Sequence, residues 1–167
     1  MKKVLFFAFI YIFINQACTI KYSLTGASIA PDVKTISVQH FVSRAPKAIA
    51  NLEQYFTDEL KDKFKSQTPL TVVNDEGHLN FEGEITKYFT RPMAITGDET
   101  ASQNRLTITV HVKFTNEIEP EYNFDSDFTQ FADYDSEQDL PTVEQGLMEE
   151  IVEKLIEDIF NKSVVNW

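Results

Sequence analysis

The chain has 167 residues, 43% hydrophobic and 25% charged, with 14 Phe and six Tyr against only five Gly and six Pro. That composition fits one globular domain and excludes a low-complexity chain. The 15 basic and 26 acidic residues give a net charge of −11, which excludes a groove built to neutralise phosphates, so no nucleic-acid partner is expected.

Residues 1–17 read as a secretory signal. Lys2 and Lys3 supply the charged start, and Val4 to Ile14 form an unbroken apolar run of 11 residues, too short for a spanning helix of about 20 residues. Cys18 follows small Ala17 and is the one cysteine of the chain, which rules out an internal disulfide and any zinc site needing two thiolates. The segment resembles the lipobox of bacterial lipoproteins, with Asn15 where the pattern usually carries leucine. The resemblance implies lipid attachment at Cys18. An unpaired thiol after ordinary cleavage is the bland alternative, and acylation removes that oxidisable group. Each buried methylene contributes about 0.8 kcal/mol, so several acyl chains hold a protein at a membrane without a spanning helix. Thr19, Ile20 and Lys21 lack the aspartate that retains lipoproteins in the inner membrane. By resemblance to those sorting rules, the protein is expected at the periplasmic side of the outer membrane, with residues 18–30 as a tether and 31–167 as a single domain.

Within that domain, Val33, Ile36 and Val38 place a strand over Asp32 to Phe41, and Ser43 to Pro46 break it. Ile49, Leu52, Phe56, Leu60 and Phe64 recur at helical spacing, with Asn51 and Gln54 as a capping pair and Pro69 as the stop. Leu70 to Val73 is a short strand. Three alternating runs follow. Leu79, Phe81, Gly83, Ile85 and Phe89 alternate with Asn80, Glu82, Glu84, Thr86 and Tyr88; Leu106 to Phe114 alternate with Arg105 to Lys113; Phe124 and Phe128 alternate with Asp125 and Asp127. These predict an antiparallel meander with one apolar and one polar face. Val143, Leu147, Ile151, Leu155 and Ile159 mark a closing amphipathic helix, with Thr142 and Gln145 as its capping box. The expected class is α+β: a two-layer sandwich, mostly antiparallel, of about four to five strands with two helices on one face.

No phosphate-binding loop, nucleophile elbow or helical zinc pair occurs, so neither enzyme chemistry nor a cofactor is expected. His40, His78 and His111 fall on separate elements, which argues against a metal role. Asp133, Asp135, Glu137, Asp139 and Glu144 echo a calcium loop, but Gln138 stands where the loop needs Gly, so a solvated loop ahead of a helix is expected instead. From Glu117 to Asp158 there are 15 acidic residues and one basic, Lys154, read as a solvating surface. Hairpins centred on their loops would place His111 opposite Glu82 and Asp125, two carboxylates that favour the imidazolium and raise its pKa. The long connection from Thr90 to Gln103 carries Arg91, Pro92, Met93 and Ile95, apolar and basic residues that no core pattern claims. These are the candidate partner-binding residues.

Read together, the lipobox, Gly26 to Pro31, Phe81 to Ile85, Asn104 to Val110 and the ending Ile159 to Trp167 resemble the LptE family of lipopolysaccharide-assembly lipoproteins. The resemblance implies an α+β lipoprotein that sits as a plug in the β-barrel LptD and assists insertion of lipopolysaccharide into the outer leaflet. It makes Lys87, Arg105 and Lys113 the candidate lipopolysaccharide-binding residues. A surface or periplasmic lipoprotein module for glycan or lipid is the rival reading. It calls for exposed aromatic platforms or a large apolar cavity.

Overall fold

The computed structural model describes residues 29–93 and 102–165. The signal segment, Cys18, most of the tether and Ile95 lie outside the described residues.

Among the described residues six strands form one sheet: β3 (Thr71–Val73), β1 (Thr35–Val38), β4 (Leu79–Met93), β5 (Gln103–Asn116) and β6 (Phe124–Asp135) in that order, with β2 (Val42–Ser43) beside β4. The N-terminal strand is split into β1 (Thr35–Val38) and β2 (Val42–Ser43), both parallel to β4 (Leu79–Met93). Between them the Phe41 ring turns into the core, and its backbone N–H donates to Thr57 Oγ1 at 3.1 Å. Helix α1 (Leu52–Gln67) then carries the chain to β3 (Thr71–Val73), which lies parallel to β1. Parallel neighbours need such a crossover. The sheet is therefore mixed. Its antiparallel part is the predicted meander of β4, β5 (Gln103–Asn116) and β6 (Phe124–Asp135).

A β-bulge interrupts β4, where the register passes from Ile85 opposite Val110 to Lys87 opposite Thr109 and leaves Thr86 as the extra residue. Because side chains alternate with period two, one extra residue exchanges the faces beyond it. Tyr88 is accordingly buried, whereas Phe89 turns to the outer face, the reverse of the simple alternation. Arg91, Pro92 and Met93 also differ from expectation. They extend β4 and pair with Arg105, Asn104 and Gln103, so they belong to the hairpin's strands rather than to its loop. Pro92 is tolerated because no described strand flanks β4 on its other side beyond Ile85.

The helices cover one face. Leu52, Phe56, Leu60 and Phe64 of α1 and Leu147, Ile151, Leu155 and Ile159 of α2 (Leu140–Phe160) are buried against it. An aromatic chain runs from Phe160 through Phe64, Phe81, Phe114 and Phe124 to Phe128, with successive centroids 4.8–5.9 Å apart, each contact adding roughly 0.5–1.5 kcal/mol beyond area burial. Neither predicted side-chain cap forms. Asn51 Nδ2 instead donates to Gln145 Oε1 across the two helices at 3.1 Å. Helix α2 begins at Leu140, with Pro141 in its first turn, so Thr142 and Gln145 lie inside it.

Candidate docking face of the sheet

The face of the sheet away from the helices is left uncovered by the described residues, and its registers order it into rows. Across β4, β5 and β6 these rows are Glu82, Lys113 and Asp125; Glu84, His111 and Asp127; Lys87, Thr109 and Thr129; Phe89, Thr107 and Phe131; and Arg91, Arg105 and Asp133. Carboxylates dominate one end and cations with aromatic rings the other.

At the acidic end Lys113 pairs with Glu82 at 3.7 Å, and Glu84 accepts from Arg44 Nε at 3.0 Å. His111 lies between Asp125 and Asp127, 2.7 and 2.8 Å away. Its hydrogen bond to Asp127 and the charge of Asp125 raise its pKa above the ordinary 6.5 against the opposing pull of partial burial. The direction matches the sequence argument. The register does not: the residues opposite His111 are Glu84 and Asp127, because β4 runs on to Met93 and holds the extra Thr86, and β6 pairs with β5 only from Phe124 onward, which moves the centre of each hairpin.

At the other end Arg105 makes a two-pronged contact with Asp133, at 2.6 and 2.7 Å, a geometry that suits the planar guanidinium. That contact holds the Asp133 carboxyl below its ordinary value. The Arg105 guanidinium also lies 3.6 Å from the Phe131 ring centroid, and Arg91 stacks 4.7 Å from Phe89. Arg91 and Arg105 stand directly opposite each other, a like-charge arrangement that costs stability, and Asp133 offsets it on one side only.

Lys87, Arg105 and Lys113 do share this face, but they do not form one cluster. Thr109, the register partner of Lys87, is four residues from Lys113 and four from Arg105 along β5, or about 13 Å each way at strand rise. Arg91 and Met93 also face outward, while Pro92 alternates to the opposite side. Sequence reasoning missed Phe89 and Phe131. Phe131 is 41% exposed, and its odd position among Asp127, Thr129 and Asp133 was the available signal. For Phe89 the bulge erased the signal.

Three of the acidic residues that echo a calcium loop are used internally. Asp135 Oδ1 accepts from the Glu137 backbone, Asp133 holds Arg105, and Glu144 accepts from the buried Tyr88 hydroxyl at 2.5 Å. Burial first, and then that hydrogen bond, push the Tyr88 pKa upward. No group of three His, Cys, Asp or Glu suited to a metal exists among the described residues.

The class so defined is a two-layer α+β domain with an open, charged sheet face and no catalytic constellation among the described residues. The family model described as "LptE: Lipopolysaccharide-assembly" matches residues 33–163. The chain belongs to the LptE family, and so to a family of lipopolysaccharide assembly. Similar solved structures include a minor lipoprotein from Acinetobacter baumannii at 16% identity, TM-score 0.50, covering 78% of this chain and 91% of that one. A Helicobacter pylori protein described as a neuraminyllactose-binding hemagglutinin homolog has 11% identity and TM-score 0.53, with 85% and 89% covered. The PelC dodecamer from Paraburkholderia phytofirmans has 8% identity and TM-score 0.50, with 82% and 92% covered. At these identities the likeness is one of fold. No curated protein matches the chain.

Proposed function

We propose that this chain is an outer-membrane lipoprotein, anchored by acyl chains on Cys18, that seats within the lumen of an LptD-type β-barrel and assists lipopolysaccharide assembly without catalysing a reaction. The observation that carries this is the family match over 33–163, which takes in the entire sheet and both helices. Physical support comes from the outer sheet face, because wide outer-membrane barrels have polar interiors that suit a charged, half-solvated surface. No helix among the described residues is long and apolar enough to cross a membrane, and acylation supplies a membrane hold without one.

Within this reading Arg91, Pro92 and Met93, at the end of β4, and Ile95 after them in the chain contact the barrel. Lys87, Arg105 and Lys113 meet the phosphorylated headgroup of lipopolysaccharide. The test is affinity capture of the full-length lipoprotein in mild detergent, with photo-crosslinkers at Met93 and Ile95. A co-purifying large β-barrel, crosslinked from those positions, is the expected result. Capture without a barrel overturns the plug. Retention on glycan supports in its place would favour the saccharide-binding alternative, for which the exposed Phe131 and its Arg105 stack are the favouring observation.

A further inference from the structure

One imidazole organises the acidic end of the outer face. His111 lies on β5, the middle of the three long strands, with Nε2 2.7 Å from Asp125 Oδ1 and Nδ1 2.8 Å from Asp127 Oδ1. An ionised carboxylate only accepts hydrogen bonds, so both contacts hold together only when both ring nitrogens carry hydrogen. That form is the imidazolium.

The neighbouring charges are already committed elsewhere. On β4, Glu84 stands opposite His111, accepts from Arg44 and adds its charge in favour of the imidazolium, and Glu82 draws Lys113 away from its register partner Asp125. The next row holds Lys87 beside Thr109 and Thr129. Among the described residues, His111 is thus the one cationic partner of Asp125 and Asp127. Both lie on β6, which among the described residues has a strand neighbour on one side only.

We propose that His111 is a proton-operated clasp on the edge strand: the imidazolium ties Asp125 and Asp127 of β6 to the middle of the sheet, and loss of one proton releases one of them. In the neutral ring one nitrogen keeps its hydrogen and one carboxylate. The other nitrogen presents a lone pair to a second carboxylate, which repels it. The raised pKa of His111 supports the same state. Its contribution to stability is fully present below the ordinary value of 6.5 and is lost as pH rises through the higher folded value. The face then also becomes more negative by one charge, so any partner seated on it meets a pH-dependent potential. The clasp does not depend on the barrel reading.

The test follows the ring nitrogens of His111 by NMR on the full chain in detergent, together with hydrogen exchange of the β6 amides corrected for the intrinsic pH dependence of exchange. The expected result is a titration midpoint above 6.5, shifted down in Asp127→Asn and, by less, in Asp125→Asn. Exchange in β6 rises through the same midpoint. His111→Gln, which keeps a polar side chain at this half-buried strand position, abolishes that rise. A midpoint at or below 6.5, carboxylate variants that leave it unmoved, or a β6 step that survives in His111→Gln each overturns the clasp.

Discussion

The two faces of the same three strands are built on opposite principles. Toward the helices, Phe81, Val110, Val112 and Phe114 are buried, with rings in contact from Phe160 to Phe128. Toward solvent, the alternating residues of the same strands form ion pairs such as Lys113 with Glu82 and Arg105 with Asp133. Burial of apolar surface contributes about 25 cal/mol per Å², whereas an exposed ion pair contributes roughly 0–1 kcal/mol. Stability therefore resides on the inner face, and the outer face is free to carry charge.

The largest break in that contrast is Phe81→Ala. Phe81 is fully buried between Phe64 and Phe114, and its truncation should cost about 3–5 kcal/mol, read as a lowered denaturation midpoint. Phe131→Ala, the same chemical change on the outer face, should leave that midpoint nearly in place. Next comes Gly83→Ala. A Cβ there would overlap the His111 carbonyl oxygen and approach Phe41 Cε1 to 2.5 Å. Backbone cannot yield as a side chain does, so about 3 kcal/mol is expected, the top of the overpacking range.

Tyr88→Phe probes the polar contact that the bulge turned inward. It leaves Glu144 without its partner and should cost roughly 1–2 kcal/mol, visible by chemical denaturation. Gly146→Ala reverses the sign. A Cβ at this position of α2 meets nothing within 4 Å, so the better helix former should add up to about 1 kcal/mol and raise the melting temperature. The smallest effect belongs to Asp133. Its folded carboxyl lies below the ordinary value of 3.8, so its contribution is present above that value and lost as pH falls through the lowered one. The stability difference between wild type and Asp133→Asn should thus be full at neutral pH and vanish in acid. High salt should shrink it throughout.

Much of this was legible in the chain alone. The helical spacing of Leu52, Phe56, Leu60 and Phe64, and the alternation through β5, fixed two-layer architecture because a 3.6-residue or two-residue period can bury only one stripe or face. The family resemblance likewise needed no coordinates. Local pattern failed wherever the deciding partner was distant in sequence. Asn51 and Gln145 satisfy each other across 94 positions instead of capping their own helices, and the parallel pairing of β1 with β4 depends on where α1 returns the chain. The insertion of Thr86 is invisible until β4 is laid beside β5, since an extra residue is extra only relative to a partner strand. That single step in register decided that Tyr88 enters the core and Phe89 leaves it, and the β5–β6 register decided that His111 meets Asp127. Periodicity specifies faces within an element; the pairing of one element with another, and with it the composition of every row on the outer face, is a property of tertiary structure.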